Sequence, residues 1–193
     1  MPAPPLPANA NVERILAAAW VLFQQQGYRG AAVDEICRRC AITKPTLYYY
    51  FGDKEGLYVQ VIVRQLQGYR ALLEQPAALS GRLTLLAARM LEQFSTEMSA
   101  MFNDMRHIHD NRNLRLLNSA FASELLGPLT ALFRAEMARG ALRPGVAEFY
   151  AWAFLGLVSA FTARERRVLA PAELARQLVT LFVDGAAQPA APR

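Results

Sequence analysis

The sequence predicts an all-α chain built in two parts. Three observations carry that reading. No segment shows sustained period-two alternation of β-branched residues, apolar residues recur instead at three- and four-residue spacing, and glycine and proline mostly fall between the periodic blocks. Of the 193 residues 53% are hydrophobic, ample for a buried core.

The elements follow in order. Residues 1–9 are rich in Pro and Ala and read as a loose tail without the basic, then apolar, pattern of a leader. A first helix is expected over about Asn11–Gln26, with Ile15, Ala18, Ala19, Leu22 and Phe23 at helical spacing and Gly27 as its stop. Short helices follow at about Val33–Cys40 and Lys44–Phe51, then a longer one at Lys54–Glu74. After QPAALSG, further helices are expected over about Gly81–Met98, Ala100–His109, Asn113–Arg139, Val146–Arg167 and Ala172–Asp184, with Gly127-Pro128 kinking or breaking the third of these. The division expected is a domain at 10–70, a second at 71–186 and a tail at 187–193. No run of about 18 uncharged apolar residues is present, so no membrane span and a cytoplasmic location are expected.

The stretch TKPTLYYYFGDK, Thr43–Lys54, holds four consecutive aromatics and the only two lysines of the chain. Successive helical residues are rotated by about 100°, so these rings cannot share one face. With Leu47 at the centre of a buried face, Phe51 lies at about +40° and Tyr50 at about −60°. Pro45, Thr46, Tyr48 and Tyr49 then fall on the opposite arc. Thr43 suits the N-cap, and Pro45 sits in the first turn, where its missing N–H is harmless.

A hydroxyl, two phenols and a lysine at one helix end suit nucleic acid. Lysine and phenol bind phosphate oxygens, a threonine reaches base edges, and proline or tyrosine lies against a thymine methyl. A preceding short helix and a tight turn make the pair, at about 32–51, a helix-turn-helix. Net charge is +5. Asn11–Arg70 carries eight basic against five acidic residues, an excess that permits such binding without demonstrating it.

These residues resemble the tetracycline-repressor (TetR) family of bacterial transcription regulators. The resemblance rests on ILAAAWVLFQQQGYRG at Ile15–Gly30, VDEIC at Val33–Cys37 and ITKPTLYYYFGDKEGLY at Ile42–Tyr58. It implies an N-terminal three-helix helix-turn-helix DNA-binding domain, followed by a helical ligand-binding and dimerisation domain. It also implies that Thr43, Lys44, Pro45, Thr46, Tyr48, Tyr49 and Tyr50 form the DNA-facing helix and that Lys54 holds a phosphate. Two departures stand out. Ala41 occupies a turn where the family usually has glycine, and Ala32 stands where a phosphate-touching threonine is common.

Met90, Phe94, Met98, Met101 and Met105 recur at three- and four-residue spacing, with Phe102 beside them. Such a stripe is either ordinary core or the adaptable wall of an apolar pocket. The resemblance places an effector pocket in this part of the chain. His107, Phe121 and Trp152 are possible additions, and the effector implied is a small apolar or aromatic molecule. Cys37 and Cys40 read as small packed residues rather than a redox or metal pair. Around His107 and His109 a polar helix end is expected. No catalytic constellation, metal site or cofactor motif emerges, so no enzyme is expected. The alternative function is a helical small-molecule-binding protein without sequence-specific DNA binding.

A helix-turn-helix monomer reads few base pairs, so a homodimer on a pseudo-palindromic double-stranded DNA operator is expected. VAEFYAWAFLGLVSAF is apolar almost all round, and Gly156 and Ala160 lie four apart where two helices could approach closely. Leu155 on this helix, with Leu174, Leu178, Leu181 and Phe182 on the last one, completes the interface expected from sequence. On that reading, charged residues at Leu155 and Leu178 give a monomer or an insoluble chain, checked by sedimentation.

Overall fold

A computed structural model of the chain describes residues 8–94, 108–162 and 169–187. The chain forms two compact units. The described residues of the first are 8–65 and 108–118; those of the second are 66–94, 119–162 and 169–187. Among the described residues the elements are α-helices joined by turns, with one isolated bridge between Leu142 and Ala187.

The first unit begins with α1 (Ala8–Gly30), which is broken at Gly27, φ 68° and ψ 175°. Beyond that break Tyr28 folds back, and its ring lies 4.9 Å from Tyr58, which meets Phe23 edge-on at the same distance. Glycine at 27 therefore both ends the regular helix and closes an aromatic cluster. Helices α2 (Val33–Arg39), α3 (Lys44–Phe51) and α4 (Lys54–Leu66) follow. Ile15, Leu22, Ile36, Leu47 and Leu57 are fully buried.

The turn between α2 and α3 closes by two crossed hydrogen bonds. Ile42 N–H donates to the Cys37 carbonyl at 3.0 Å and Ala41 N–H to that of Arg38 at 3.2 Å. This helix ending needs a left-handed residue at its second-last position. Ala41 supplies it at φ 48°, the only non-glycine with positive φ among the described residues. The turn is thus made with the strained residue. Between α3 and α4, Asp53 caps by accepting from Gly56 N–H at 2.7 Å. A Cβ on Gly56 would stand 2.1 Å from the Phe51 carbonyl oxygen, so glycine is what lets α4 start so close to α3.

Helix α4 stops at Leu66, short of the expected Glu74, because Gly68 turns the chain at φ 94° into the separate α5 (Tyr69–Leu73). The expected boundary at residue 70 leaves 108–118 to the second part, yet these residues group with the first unit. The cause is Glu55. Its carboxylate accepts from the His109 and Asp110 backbone N–H groups, each at 2.9 Å, and from Asn113 Nδ2 at 2.9 Å. It thereby anchors the start of α7 (Asn111–Phe121). Asp110 completes the cap through Arg112 N–H at 2.7 Å.

In the second unit α6 (Leu79–Gln93) packs along α10 (Pro171–Ala186), while α8 (Gly127–Ala138) packs on α9 (Ala147–Ser159). The long helix expected at Asn113–Arg139, with a kink or break at Gly127-Pro128, instead keeps helical backbone through Leu126 and Gly127, its α-ladder widened to a π-turn at Ala122–Leu126. Pro128 has no N–H for the α-helical ladder, and the wider turn sends the Gly127 N–H to the Ala122 carbonyl. The run Asn111–Ala138 is long and apolar enough to cross a membrane by length and composition alone. It nevertheless carries Glu136, buried and ion-paired to Arg82 at 3.2 Å and to Arg139. Helix α9 ends at Ser159, short of the expected Arg167, where the Thr162 hydroxyl takes the Ser159 carbonyl at 2.9 Å. Arg143 closes the far end of α10 by donating from Nε to the Ala187 carbonyl at 3.0 Å and from its other nitrogen to that of Gly185.

Two outcomes follow. Ala41→Gly relieves the left-handed alanine, whose strain exceeds the backbone freedom glycine adds to the unfolded chain, and raises stability by about 0.5–1 kcal/mol in urea unfolding. Glu55 has opposing influences: burial pushes its pKa up, but the hydrogen bonds from Asn113, His109 and Asp110 outweigh this and hold it below the ordinary value. A carboxyl with a depressed folded pKa stabilises above its unfolded pKa, and that contribution is lost as pH falls through the folded value. Glu55→Gln therefore lowers the melting temperature by about 2–4 °C at neutral pH and flattens the acid limb of the stability profile.

Candidate nucleic-acid interface

Helix α3 has one fully buried side chain, Leu47, and everything else about its orientation follows from it. Tyr50 and Phe51 are half-buried on either side of Leu47, with ring centroids 6.2 Å apart. On the other arc Tyr48 is exposed and Tyr49 is 84% exposed, the most open large hydrophobic side chain among those described. Pro45 is exposed and Thr46 half-buried. Tyr49 rests edge-on against Tyr50 at 5.4 Å, which limits how far its ring can swing.

The helix start is built locally. Thr43 is the N-cap, its hydroxyl accepting from Thr46 N–H at 3.4 Å and lying 2.9 Å from the Thr46 hydroxyl. Lys44, the first helical residue, is exposed and pairs through Nζ with Asp34 of α2 at 2.9 Å. That hydrogen bond to Asp34 holds the lysine pKa above its ordinary value. Lys54, at the start of α4, donates to the Arg29 carbonyl at 3.2 Å and lies 4.9 Å over the Tyr28 ring. It ties α4 to the end of α1 while keeping its ammonium at the same edge. Ala32 caps α2 without any side-chain bond, so a hydroxyl is lacking there.

Sequence reasoning missed the pairing of the cations on this surface. Glu35 takes Arg39 at 2.8 Å and Arg38 as well, and both arginines hold its carboxyl below its ordinary value. These partners stand three and four residues apart, a spacing legible in sequence. The Asp34–Lys44 pair joins two helices across a turn and has no such signal. Cys37 and Cys40 are free and buried, as packed residues should be, and burial pushes both thiols up.

The other candidate sites are only partly visible. Met98, Met101, Phe102, Met105 and His107 lie outside the described residues. Met90 is buried on the same face of α6 as Leu83 and Leu86, while Phe94, also buried, lies just past the helix in extended backbone, so the helix expected to reach Met98 ends at Gln93 and the stripe's helical spacing stops there. Phe121 stacks on Trp152 at 5.6 Å, but Trp152 is nearly half exposed and sits on the outer face of α9.

The expected dimer residues need a correction. Leu155, Leu174 and Leu178 are buried within the protomer, so they are core. A helix apolar all round leaves its inward side undetermined, and here Phe154, Leu155 and Val158 take it. The outward side presents Phe149 at 68% exposure, Trp152, Gly156 and Ala160, beside Leu181 of α10 at 66% and half-buried Phe182. Between α9 and α10 runs an open groove of about 370 Å³, lined by Phe149, Ala153, Leu157, Leu181 and Phe182, with Arg143 at its rim.

Comparison with known proteins adds three findings. Residues 15–61 match the pattern of bacterial regulatory proteins of the tetR family. Over 69 residues, 36% of this chain and 35% of the relative, the sequence is 36% identical to the HTH-type transcriptional regulator UidR of Escherichia coli K12. The chain thus spans about a third of the length of the curated relatives it matches. Among solved structures, the transcriptional regulator FadR of Bacillus subtilis, in complex with stearoyl-CoA, has a TM-score of 0.71 at 15% identity, over 90% of this chain and 98% of that one. AibR, in complex with isovaleryl coenzyme A and operator DNA, has a TM-score of 0.68 at 19% identity, over 93% and 100%. These likenesses extend the all-α, two-part fold over nearly the whole length. Residues 15–61 of the chain thus carry the pattern of the tetR family of bacterial regulatory proteins, and beyond them the likeness is one of fold.

Proposed function

We propose that this protein is a ligand-responsive DNA-binding transcription regulator, a repressor that binds a pseudo-palindromic operator as a homodimer in the cytoplasm. A small apolar or aromatic effector releases it. One observation carries the reading: burial of Leu47 turns Tyr48 and Tyr49 outward beside Thr46 and Lys44 on a capped helix that follows a tight turn. That surface has hydroxyl, phenol and ammonium groups for bases and phosphates and no role in the core. Thr43, Pro45, Tyr50 and Lys54 complete the proposed DNA-binding set.

The matched relatives are transcriptional regulators, and this favours regulation over catalysis. The two fold neighbours are described with acyl-coenzyme A ligands, and Met90 and Phe94 are buried apolar side chains in the corresponding helical part of this chain. The effector-binding set proposed is this pair, continued through Met98, Met101, Phe102, Met105 and His107, with Phe121 and Trp152.

The homodimer uses the outer faces of α9 and α10. A Cβ on Gly156 would meet nothing within 4 Å, so the protomer itself has no need of glycine there. A second copy approaching helix to helix does. Phe149, Trp152 and Leu181 then lose their exposed apolar surface, and the groove between α9 and α10 is filled.

Binding is tested by gel shift with the DNA upstream of the protein's own gene. Tyr49→Ala weakens operator binding by about 10- to 100-fold with an unchanged melting temperature. Leu47→Ala lowers the stability of the fold itself by about 2–5 kcal/mol. Retention of wild-type affinity in Tyr49→Ala combined with Lys44→Ala would overturn the assignment. For the dimer, Leu181→Glu yields a folded monomer by sedimentation that has lost operator binding. Leu155→Glu, aimed at the core, yields unfolded chain instead.

A further inference from the structure

On the surface of α2 and α3, carboxylates engage the basic side chains. Asp34 holds Lys44, and Glu35 holds Arg38 and Arg39. Non-specific binding to DNA comes almost wholly from cations displacing counterions at phosphates. A cation already paired within the protein releases no counterion unless the pair opens. Asp34 is the informative partner, because it is 75% exposed and 2.9 Å from the first residue of the reading helix. A carboxylate in that place repels phosphate unless it is neutralised.

We propose that Asp34 is a specificity-determining residue, resting on the DNA-binding reading above. It holds Lys44 in an ion pair on the reading surface, so that DNA of arbitrary sequence gains less from this lysine. Only where the other contacts of α3 are satisfied does Lys44 leave Asp34 for the DNA. Asp34 acts through Lys44 and is therefore a positioning residue. The pair lowers affinity for wrong sequences more than for the operator, and discrimination rises.

The test is the salt dependence of binding by the full chain, measured on its operator duplex and on a mixed-sequence duplex of equal length. Asp34→Asn should bind the mixed duplex more tightly than wild type. Its slope of log affinity against log salt should be steeper by about 0.9, so between 50 and 200 mM salt it loses about 3.5-fold more affinity. Its ratio of operator to mixed-duplex affinity should fall. Asp34→Glu, which keeps the carboxylate, should restore the wild-type slope. Adding Lys44→Ala to Asp34→Asn should abolish the gain, a response that loss of a helix-stabilising acid would not give.

Wild-type slope and affinity in Asp34→Asn would overturn the inference, as would a gain that survives the Lys44→Ala addition. A wild-type chain that binds no duplex at all would overturn the DNA-binding reading and this inference with it. Melting curves of each variant identify any chain that does not fold. In that case Asp34→Ser, which also removes the charge, is measured on the same two duplexes with the same expected and overturning results.

Discussion

The burial of one leucine governs the proposed interface. An eight-residue helix is not stable alone in water. Helix α3 is held by the full burial of Leu47, and that burial fixes the rotation of the helix about its axis. A rotation of about 100° would bring Tyr48 inward and Leu47 outward. The exposure of Tyr48 and Tyr49 is thus a consequence of packing on the opposite side. Two neighbouring constraints hold the helix ends: the crossed hydrogen bonds around Ala41 before it, and the close approach at Gly56 after it.

Electrostatics adds a second layer. The chain is basic overall, yet on the surface of α2 and α3 carboxylates engage the cations beside them, and Lys54 is bonded to a backbone carbonyl and an aromatic face. Such a surface has shape and hydrogen-bonding groups but little free charge. In the second unit the buried Glu136 with Arg82 and Arg139 is a different case. There the Glu136 carboxylate is withdrawn from water and Arg82 largely so, while Arg139 is exposed, and removing Arg82 takes away the partner that shares the carboxylate's burial, which is destabilising.

How much of this was legible in the sequence depended on the range of the interaction. Helix α3 was legible to the residue, because its cap, its proline and its buried leucine act within one or two turns. The turn at Ala41 was legible only through the resemblance, which places glycine there. Glu55 and its backbone partners at His109 and Asp110 lie more than fifty positions apart, and nothing local marks them. The dimer face failed differently. In α9 nearly every position is apolar, so periodicity cannot say which side meets the protomer's own core. Leu155 reads as well for either side as Phe149 does, and only the packing of α8 and α10 decides between them.

Ala41 has a consequence for motion. A residue held in the left-handed region raises the energy of the closed turn relative to an opened one. At about 1 kcal/mol of strain, the opened turn is about fivefold more populated than it would be with glycine. The amide of Ile42, whose proton is bonded to the Cys37 carbonyl, then exchanges with solvent about fivefold faster than it would with glycine at 41. Helix α3 thus follows the one left-handed non-glycine residue among those described, and the burial of Leu47 does more to set its orientation than the turn that carries it.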